Sequence, residues 1–405
     1  MGVFDWLAGY RAKLSGRDRP APEEWGAGPT FRVNQTTVLG LSAAWACVRL
    51  RSRVVGSLPI SLFSKDGVSN RREETDHWLY RLLHDSPNAD QTPYDFWSNA
   101  CASIDLWGNA YAEKKIGTLG RTVALQPFRP DLVTVSRNGE GELVYAVNDR
   151  GKIERLPADK VLHLPGLSLG GDVGLSAVAA GRESLAGAIG AVRTSADTFM
   201  GGLQLSGFME TGSTTLKPDQ RADLIEIFDG FRGQAMRGRI VPLEKDFKFA
   251  PLRMNPVEAE LLGTRGLDIE EVCRWFDTPP ILIGHASGGQ TMWGSGVEQI
   301  FLGWLTMGLN PLLTSLQQRI RKQLLPPAER ANLKPEFNRE ALLAADSAGR
   351  AALYSALGQN GVMTRNEMRA KENLPAKPGG DTLTVQSNLV PLDQLGRTAA
   401  PGESQ

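Results

Sequence analysis

Two proline-bounded helical stretches, joined by a glycine-rich loop, constrain this chain more than any other feature. From Pro256 to Asp277 the apolar residues Val257, Leu261, Leu262, Ile269, Val272 and Phe276 recur at helical intervals, and Glu258, Glu260, Asp268, Glu270 and Glu271 take the other side. At about 1.5 Å per residue such a helix is about 33 Å long. Pro279 and Pro280 stop it, and the segment from Gly284 to Gly296 carries glycine at 284, 288, 289, 294 and 296. Glycine gives that loop backbone freedom. The helical pattern resumes from Gly296 to Leu325, with Ile300, Phe301, Trp304, Leu305, Leu312, Leu316, Ile320 and Leu324 on the apolar side. Pro311 lies inside it. A proline ring clashes with the carbonyl four residues earlier and offers no donor, so a kink is expected near Met307.

The first half of the chain has a different texture. Residues 15 to 36 mix Pro20, Pro22, Gly26, Gly28 and Pro29 with charges and read as a flexible arm. Helical spacing covers Leu39 to Val55 and Pro93 to Leu106, and a strand-like pattern follows. Leu132 to Val135 and Leu143 to Val147 flank Asn138-Gly139, a dipeptide that accepts the positive φ of a hairpin turn. Val161 to Leu164 is a further short strand. The segment to residue 176 is therefore a mixed α/β region.

From Ala177 to Met200 alanine and glycine dominate, with Leu185, Ile189, Val192 and Phe199 at helical intervals. Gln204 to Leu252 forms a small unit with strands around Leu205 to Glu210, Ile240 to Pro242 and Phe247 to Ala250, and a helix opened by Pro218 and Asp219. Arg221, Arg232, Arg237, Arg239, Lys245 and Lys248 make it basic, as a docking face or a solvated one. After Phe337-Asn338-Arg339, helices are expected at Ala344 to Gly358 and Arg365 to Lys371. Thr364 with Glu367 supplies a capping box for the second. The proline- and glycine-rich tail should be extended.

Charge and chemistry exclude much. The 45 basic and 45 acidic residues cancel. A tight nucleic-acid clamp usually carries net positive charge, so neutrality suits a channel through which a polyanion slides. Cys47, Cys101 and Cys273 have no metal-ligand spacing, and a reducing compartment is expected. No run of eighteen apolar residues occurs, so no membrane span or membrane partner is expected. Gly289 to Gly294 has the glycine spacing of a phosphate loop, but Ser295 stands where its lysine belongs. Gly174-Leu175-Ser176-Ala177-Val178 lacks the last glycine of a nucleophile elbow. His77, His84, His163 and His285 are too dispersed for a metal site. No enzyme activity, cofactor or metal is expected.

Three short signatures appear in order: Leu106-Trp107-Gly108-Asn109-Ala110-Tyr111, Trp275-Phe276-Asp277-Thr278-Pro279-Pro280 and Met363-Thr364-Arg365-Asn366-Glu367. Ser57-Leu58-Pro59 and His77-Trp78-Leu79-Tyr80-Arg81-Leu82-Leu83 precede them, Val161-Leu162-His163-Leu164 and Gly174-Leu175-Ser176 stand between the first two, and Asn373-Leu374-Pro375 and Gly379-Gly380-Asp381-Thr382 follow the last. From about Ser42 to Leu392 this series resembles the portal proteins, or head-tail connectors, of tailed double-stranded DNA phages and gene transfer agents.

The resemblance implies an α+β, ring-forming portal fold with a mixed α/β wing, a helical stem, a small α/β clip and a short helical crown. Laid on this chain, residues 1–36 are the arm, 37–176 the wing, 177–203 and 253–279 the stem helices, and 204–252 the clip. Residues 280–296 are the tunnel loop, 297–340 a long kinked helix returning to the wing, 341–374 the crown and 375–405 the tail. The implied function is a ring of about twelve copies at one capsid vertex, through which double-stranded DNA is packaged and ejected without sequence readout. His285, Gln290, Thr291, Met292 and Trp293 would face the DNA. Arg232, Arg237, Arg239, Lys245 and Lys248 would form the clip docking surface for the terminase large subunit and then the head-tail adaptor, and the major capsid protein would surround the ring. Assembly in the bacterial host cytoplasm and residence in the virion follow from the same resemblance. A cytoplasmic hydrolase with an unrecognised site, or another virion structural protein, is the competing reading.

Overall fold

The computed structural model describes residues 32–66, 70–118, 120–200, 207–210, 248–251, 266, 268–286, 295–339, 347–372 and 374–384. The chain divides into two units, residues 1–337 and 338–405.

In the first unit, helix α1 (Gln35–Leu39) starts at an Asn34 cap and stops at Gly40, and α2 (Ser42–Ser57) follows. The helix expected over 39–55 is α2, starting at Ser42, and the short α1 closed by Gly40 precedes it. Helix α3 (Pro93–Trp107) begins with a Thr92/Asp95 capping box and Pro93 in its first turn, where the lost N–H is an orphan anyway. α2 and α3 cross closely at Gly56, where a Cβ would meet Ser98 Oγ at 2.1 Å. Strand β1 (Ile60–Asp66) pairs antiparallel with β2 (Asn70–Glu73) on one edge and β11 (Leu333–Phe337) on the other, with Ile60 opposite Phe337. Phe337 then meets the edge of buried Trp97 on α3, at 5.7 Å between ring centroids, which fixes the returning strand against the helix.

Strands β3 (Asn109–Ile116), β4 (Thr122–Phe128) and β8 (Val161–Pro165) form an antiparallel sheet with β3 in the middle. β5 (Val133–Arg137), β6 (Leu143–Asp149) and β7 (Lys152–Pro157) form a meander. Alternation puts Val133, Val135, Tyr145, Val147 and Leu156 into one core with Tyr111 and Val161. The β5–β6 hairpin is present, but the positive φ falls on Gly141 (85°) and not on Asn138-Gly139. Asn138 instead accepts from the Glu140 and Glu142 amides through its side chain, so the turn is wider than the dipeptide alone suggests.

The expected helix over 177–200 is split into α4 (Ala177–Ala180) and α5 (Arg182–Met200). Gly181 between them lies under the Trp275 indole, where a Cβ would clash at 2.6 Å. β9 (Gly207–Glu210) and β10 (Lys248–Pro251) pair antiparallel. Helix α6 (residues 268–275) is the described part of the expected 256–277 helix. Val272, Cys273 and Phe276 at its end pack with Val38, Ala44, Cys47, Val48, Leu185 and Ile189 in one core. Helix α7 (Ser295–Trp304) widens into a π-helical turn at Leu305–Leu309 and continues as α8 (Asn310–Leu324). The π turn sits where the Pro311 kink was expected, since one extra residue per turn moves a carbonyl out of the proline's way.

In the second unit, α9 (Ser347–Gln359) and α10 (Arg365–Lys371) are joined through Gly361 at φ 67°. Thr364 and Glu367 form the expected capping box: the Thr364 amide donates to Glu367 Oε2 at 2.7 Å and the Glu367 amide to Thr364 Oγ1 at 3.2 Å.

Candidate functional site

The three sequence signatures fold into three joints. At the first, Gly108 caps α3 in the left-handed conformation, and a Cβ there would come within 2.4 Å of the Leu175 carbonyl group. Only glycine fits. The next residue, Asn109, is buried and holds the loop that precedes α4. Its Oδ1 accepts from the Gly174 amide at 2.7 Å and from His163 Nε2 at 2.9 Å, while its Nδ2 donates to the Gly174 carbonyl at 3.0 Å. Because the backbone amide can only donate, the amide orientation of Asn109 is fixed, and His163 must carry its proton on Nε2. His163 Nδ1 then accepts from Tyr145 Oη at 3.2 Å. Burial, followed by Arg319, holds His163 down to about 3. It is a neutral structural histidine, paired on its backbone with Gln323 of α8 through two 2.8 Å bonds.

At the second joint, Trp275 covers Gly181 and donates from Nε1 to Ser184 Oγ at 3.1 Å, so α6 is stapled to α5. Asp277 takes a positive φ of 48° and turns the chain. Its carbonyl accepts from Trp304 Nε1 at 2.8 Å and from Arg51 Nη1 at 3.4 Å. Arg51 is buried and reaches both carboxylate oxygens of buried Asp105 through Nε, at 3.0 and 3.2 Å. Burial alone would pull the guanidinium down, but Asp105 more than offsets it and Arg51 stays charged. The same burial pushes Asp105 up, against the pull of Arg51. The reach of Nε–H to both oxygens is the geometry of an ionised acid, and we read the pair as charged. Thr278, also buried, closes the turn by donating to the Phe276 carbonyl at 3.0 Å. From this joint Pro280–Ile283 runs as a 3₁₀ turn, Gly284 follows at φ 85°, and the His285 amide donates to the Pro280 carbonyl at 3.0 Å.

The third joint belongs to the second unit. Asn366 accepts from the Lys377 amide at 2.9 Å and donates to the Lys377 carbonyl and Asp381 Oδ1, each at 2.9 Å. Here the segment 374–384 is tied to α10.

Of the residues expected to face DNA, His285 is partly buried at the start of the loop. Gln290, Thr291, Met292 and Trp293 lie outside the described residues, as do Arg232, Arg237, Arg239 and Lys245 of the expected docking surface. Lys248 opens β10, with its backbone opposite Glu210 of β9. The Asn109 network, the Arg51–Asp105 pair and the approach of Cys47 Sγ to Cys273 Sγ at 3.7 Å had no sequence expectation. Their only sequence trace was the polar or small residue inside an apolar pattern.

The family model described as phage portal protein matches residues 42–373. The portal protein of Enterobacteria phage HK97 is 32% identical over 370 residues, which covers 91% of this chain and 87% of that protein. The chain belongs to the phage portal protein family. A structure described as the neck of an empty GTA particle, computed with C6 symmetry, superposes with a TM-score of 0.60 at 22% identity, covering 87% of this chain and 95% of that one. The neck of a native GTA particle, computed with C12 symmetry, superposes at 0.57 and 21%, with the same coverage. These two share the fold.

Proposed function

We propose that the protein forms a closed ring of about twelve copies at one capsid vertex and conducts double-stranded DNA during packaging and ejection. The observation that carries this reading is membership of the portal family over residues 42–373. The C12-symmetric neck with the same fold supports the copy number. Head-to-tail contacts close into a ring when the rotation between copies allows. Twelve copies of the 44.0 kDa chain weigh about 530 kDa. Mass photometry and negative-stain images of the purified chain test this: a holed ring near that mass supports it, and monomers or dimers at every concentration and salt overturn it.

In this reading residues 37–176 are the wing, 177–203 and 253–279 the stem, 204–252 the clip, 280–296 the tunnel loop, 297–340 the long helix returning to the wing and 341–374 the crown. The chain supplies a conduit and a platform, with no catalytic step of its own. The loop after the Asp277 joint starts from a rigid anchor and is rich in glycine, which suits passing contact with a phosphate backbone through Gln290 and Thr291. Deleting residues 288–294 should leave rings intact and lower nuclease-protected DNA in particles; wild-type packaging would reduce the loop to a connector. Arg232, Arg237, Arg239, Lys245 and Lys248 of the clip dock the terminase large subunit and then the head-tail adaptor. Arg237→Glu with Arg239→Glu should weaken terminase or adaptor capture in a pull-down without loss of rings. The ring resides in the virion after assembly in the bacterial cytoplasm, beside the major capsid protein.

A further inference from the structure

Helix α2 has two faces of opposite character. Ala43, Ala44, Cys47, Val48, Arg51 and Val55 are buried, whereas Trp45, Arg49 and Arg53 form an exposed stripe at steps of four. Trp45 is 53% exposed, an unusual position for the largest apolar side chain on a helix whose other side is fully packed. Among the described residues, the side chain of neither Arg49 nor Arg53 takes part in a hydrogen bond or ion pair.

Besides crossing α3, helix α2 meets α6 in the core through Cys47 and Cys273. At about 100° per residue, Trp45 and Arg49 each lie about 160° round α2 from Cys47, and Arg53 about 120°. On α6, Glu271 lies about 160° and Asp268 about 140° round from Cys273. Glu271 is exposed and Asp268 partly so, and burial together with Glu271 raises Asp268. The Cys47 and Cys273 sides of the two helices meet, so α2 presents Trp45, Arg49 and Arg53 away from that contact, and α6 presents Glu271 and Asp268 away from it, on the side where Trp275 is stapled to α5.

We propose that Trp45, Arg49 and Arg53 of one copy seat against Asp268 and Glu271 of the next, as the head-to-tail contact between neighbouring copies of this chain. The inference rests on the ring reading above. A heterologous contact needs two different, complementary surfaces on one molecule, spaced so that each copy uses both. A cationic aromatic stripe on α2 and an acidic pair on α6 meet that requirement, and the indole supplies a flat apolar anchor at the end of the stripe, one turn before Arg49.

The test uses full-length chain and mass photometry at fixed salt, with circular dichroism melting to verify the fold. Arg49→Glu with Arg53→Glu, and separately Asp268→Lys with Glu271→Lys, should each raise the concentration for half-assembly about tenfold. The four substitutions together leave net charge unchanged and restore the pairing in reverse, so rings should return. Arg49→Gln with Arg53→Gln gives a milder version should reversal disturb the fold. Wild-type ring formation by the Arg49/Arg53 variants overturns the proposal while the ring reading stands, and so does normal assembly coupled to weaker DNA retention, which would assign the stripe to DNA. Failure of the fourfold variant to restore rings, with an unchanged melt, also overturns it. If the wild-type chain forms no ring at all, the ring reading itself falls, and this contact with it.

Discussion

Asn109 Oδ1 accepts hydrogen bonds from both the Gly174 amide and His163 Nε2, residues 65 and 54 positions away. One side chain thereby joins the end of α3, strand β8 and the loop leading into α4. Asn109→Ala would leave two buried donors without an acceptor. Each unsatisfied group costs about 1–3 kcal/mol, so a loss of about 2–6 kcal/mol is expected, read as a lower urea midpoint. Asn109→Asp keeps the acceptor for both donors but gives up the donor to the Gly174 carbonyl, and buries a charge. A midpoint for Asn109→Ala close to wild type would show that the network is incidental.

His163 gives a signed pH dependence. Its folded value of about 3 lies below the ordinary 6.5, so the unfolded chain binds the proton more readily between them. Stability from this group is complete above about pH 6.5 and is lost as pH falls toward 3, amounting to about 2 kcal/mol by pH 5. Carboxylates titrate in the same direction, so the comparison must be internal. His163→Gln should be less stable at pH 7.5 and should lose less between pH 7.5 and 5 than wild type does. Parallel pH curves would show that His163 does not set the slope.

The Arg51–Asp105 pair is a matched set. Arg51→Met leaves the Asp105 carboxylate buried without its cation and should cost about 3–5 kcal/mol. Arg51→Met with Asp105→Leu removes both charges and should cost less than the first substitution alone. Denaturant midpoints of the two singles and the double measure the coupling. Strict additivity would mean that the charges act independently, and that the carbonyl of Asp277, which Arg51 also reaches, is the contact that matters.

Local patterns in the sequence carried the elements well and the joints poorly. Thr364 with Glu367 announced the start of α10 and Pro93 the start of α3, and Pro311 announced a kink near Met307, where the helix widens into a π turn, because each acts on atoms within one helical turn. Gly181 looked like one more small residue in an alanine-rich helix. It is a break because Trp275, distant in sequence, needs the space above it. Cys47 and Cys273 have no spacing that predicts contact, yet their sulfurs meet across 226 residues. Long-range proximity of this kind is a property of the assembled core, and the ordered signatures showed it only through resemblance to a family. The glycines show the same limit, since a left-handed φ and a crowded site look alike in sequence.

Gly108 and Gly284 separate those two causes. Both have positive φ, 76° and 85°. At Gly284 an added Cβ meets nothing within 4 Å, so Gly284→Ala should cost only the left-handed strain, about 1 kcal/mol. At Gly108 the Cβ would come within 2.4 Å of Leu175 C and O and 2.7 Å of the Gly174 carbonyl oxygen. These are backbone atoms, in a segment that Asn109 holds at Gly174 and Leu167 at Leu175, so they cannot move aside, and Gly108→Ala should cost about 4 kcal/mol or more. Thermal melts of the two variants beside wild type, with soluble yield as a second reading, measure the difference. Gly284→Ala should melt within a few degrees of wild type, whereas Gly108→Ala should melt far lower or fail to accumulate. Equal shifts would mean that the backbone at Leu175 can yield, and that the tight fit behind Trp107-Gly108-Asn109 is not what requires glycine there.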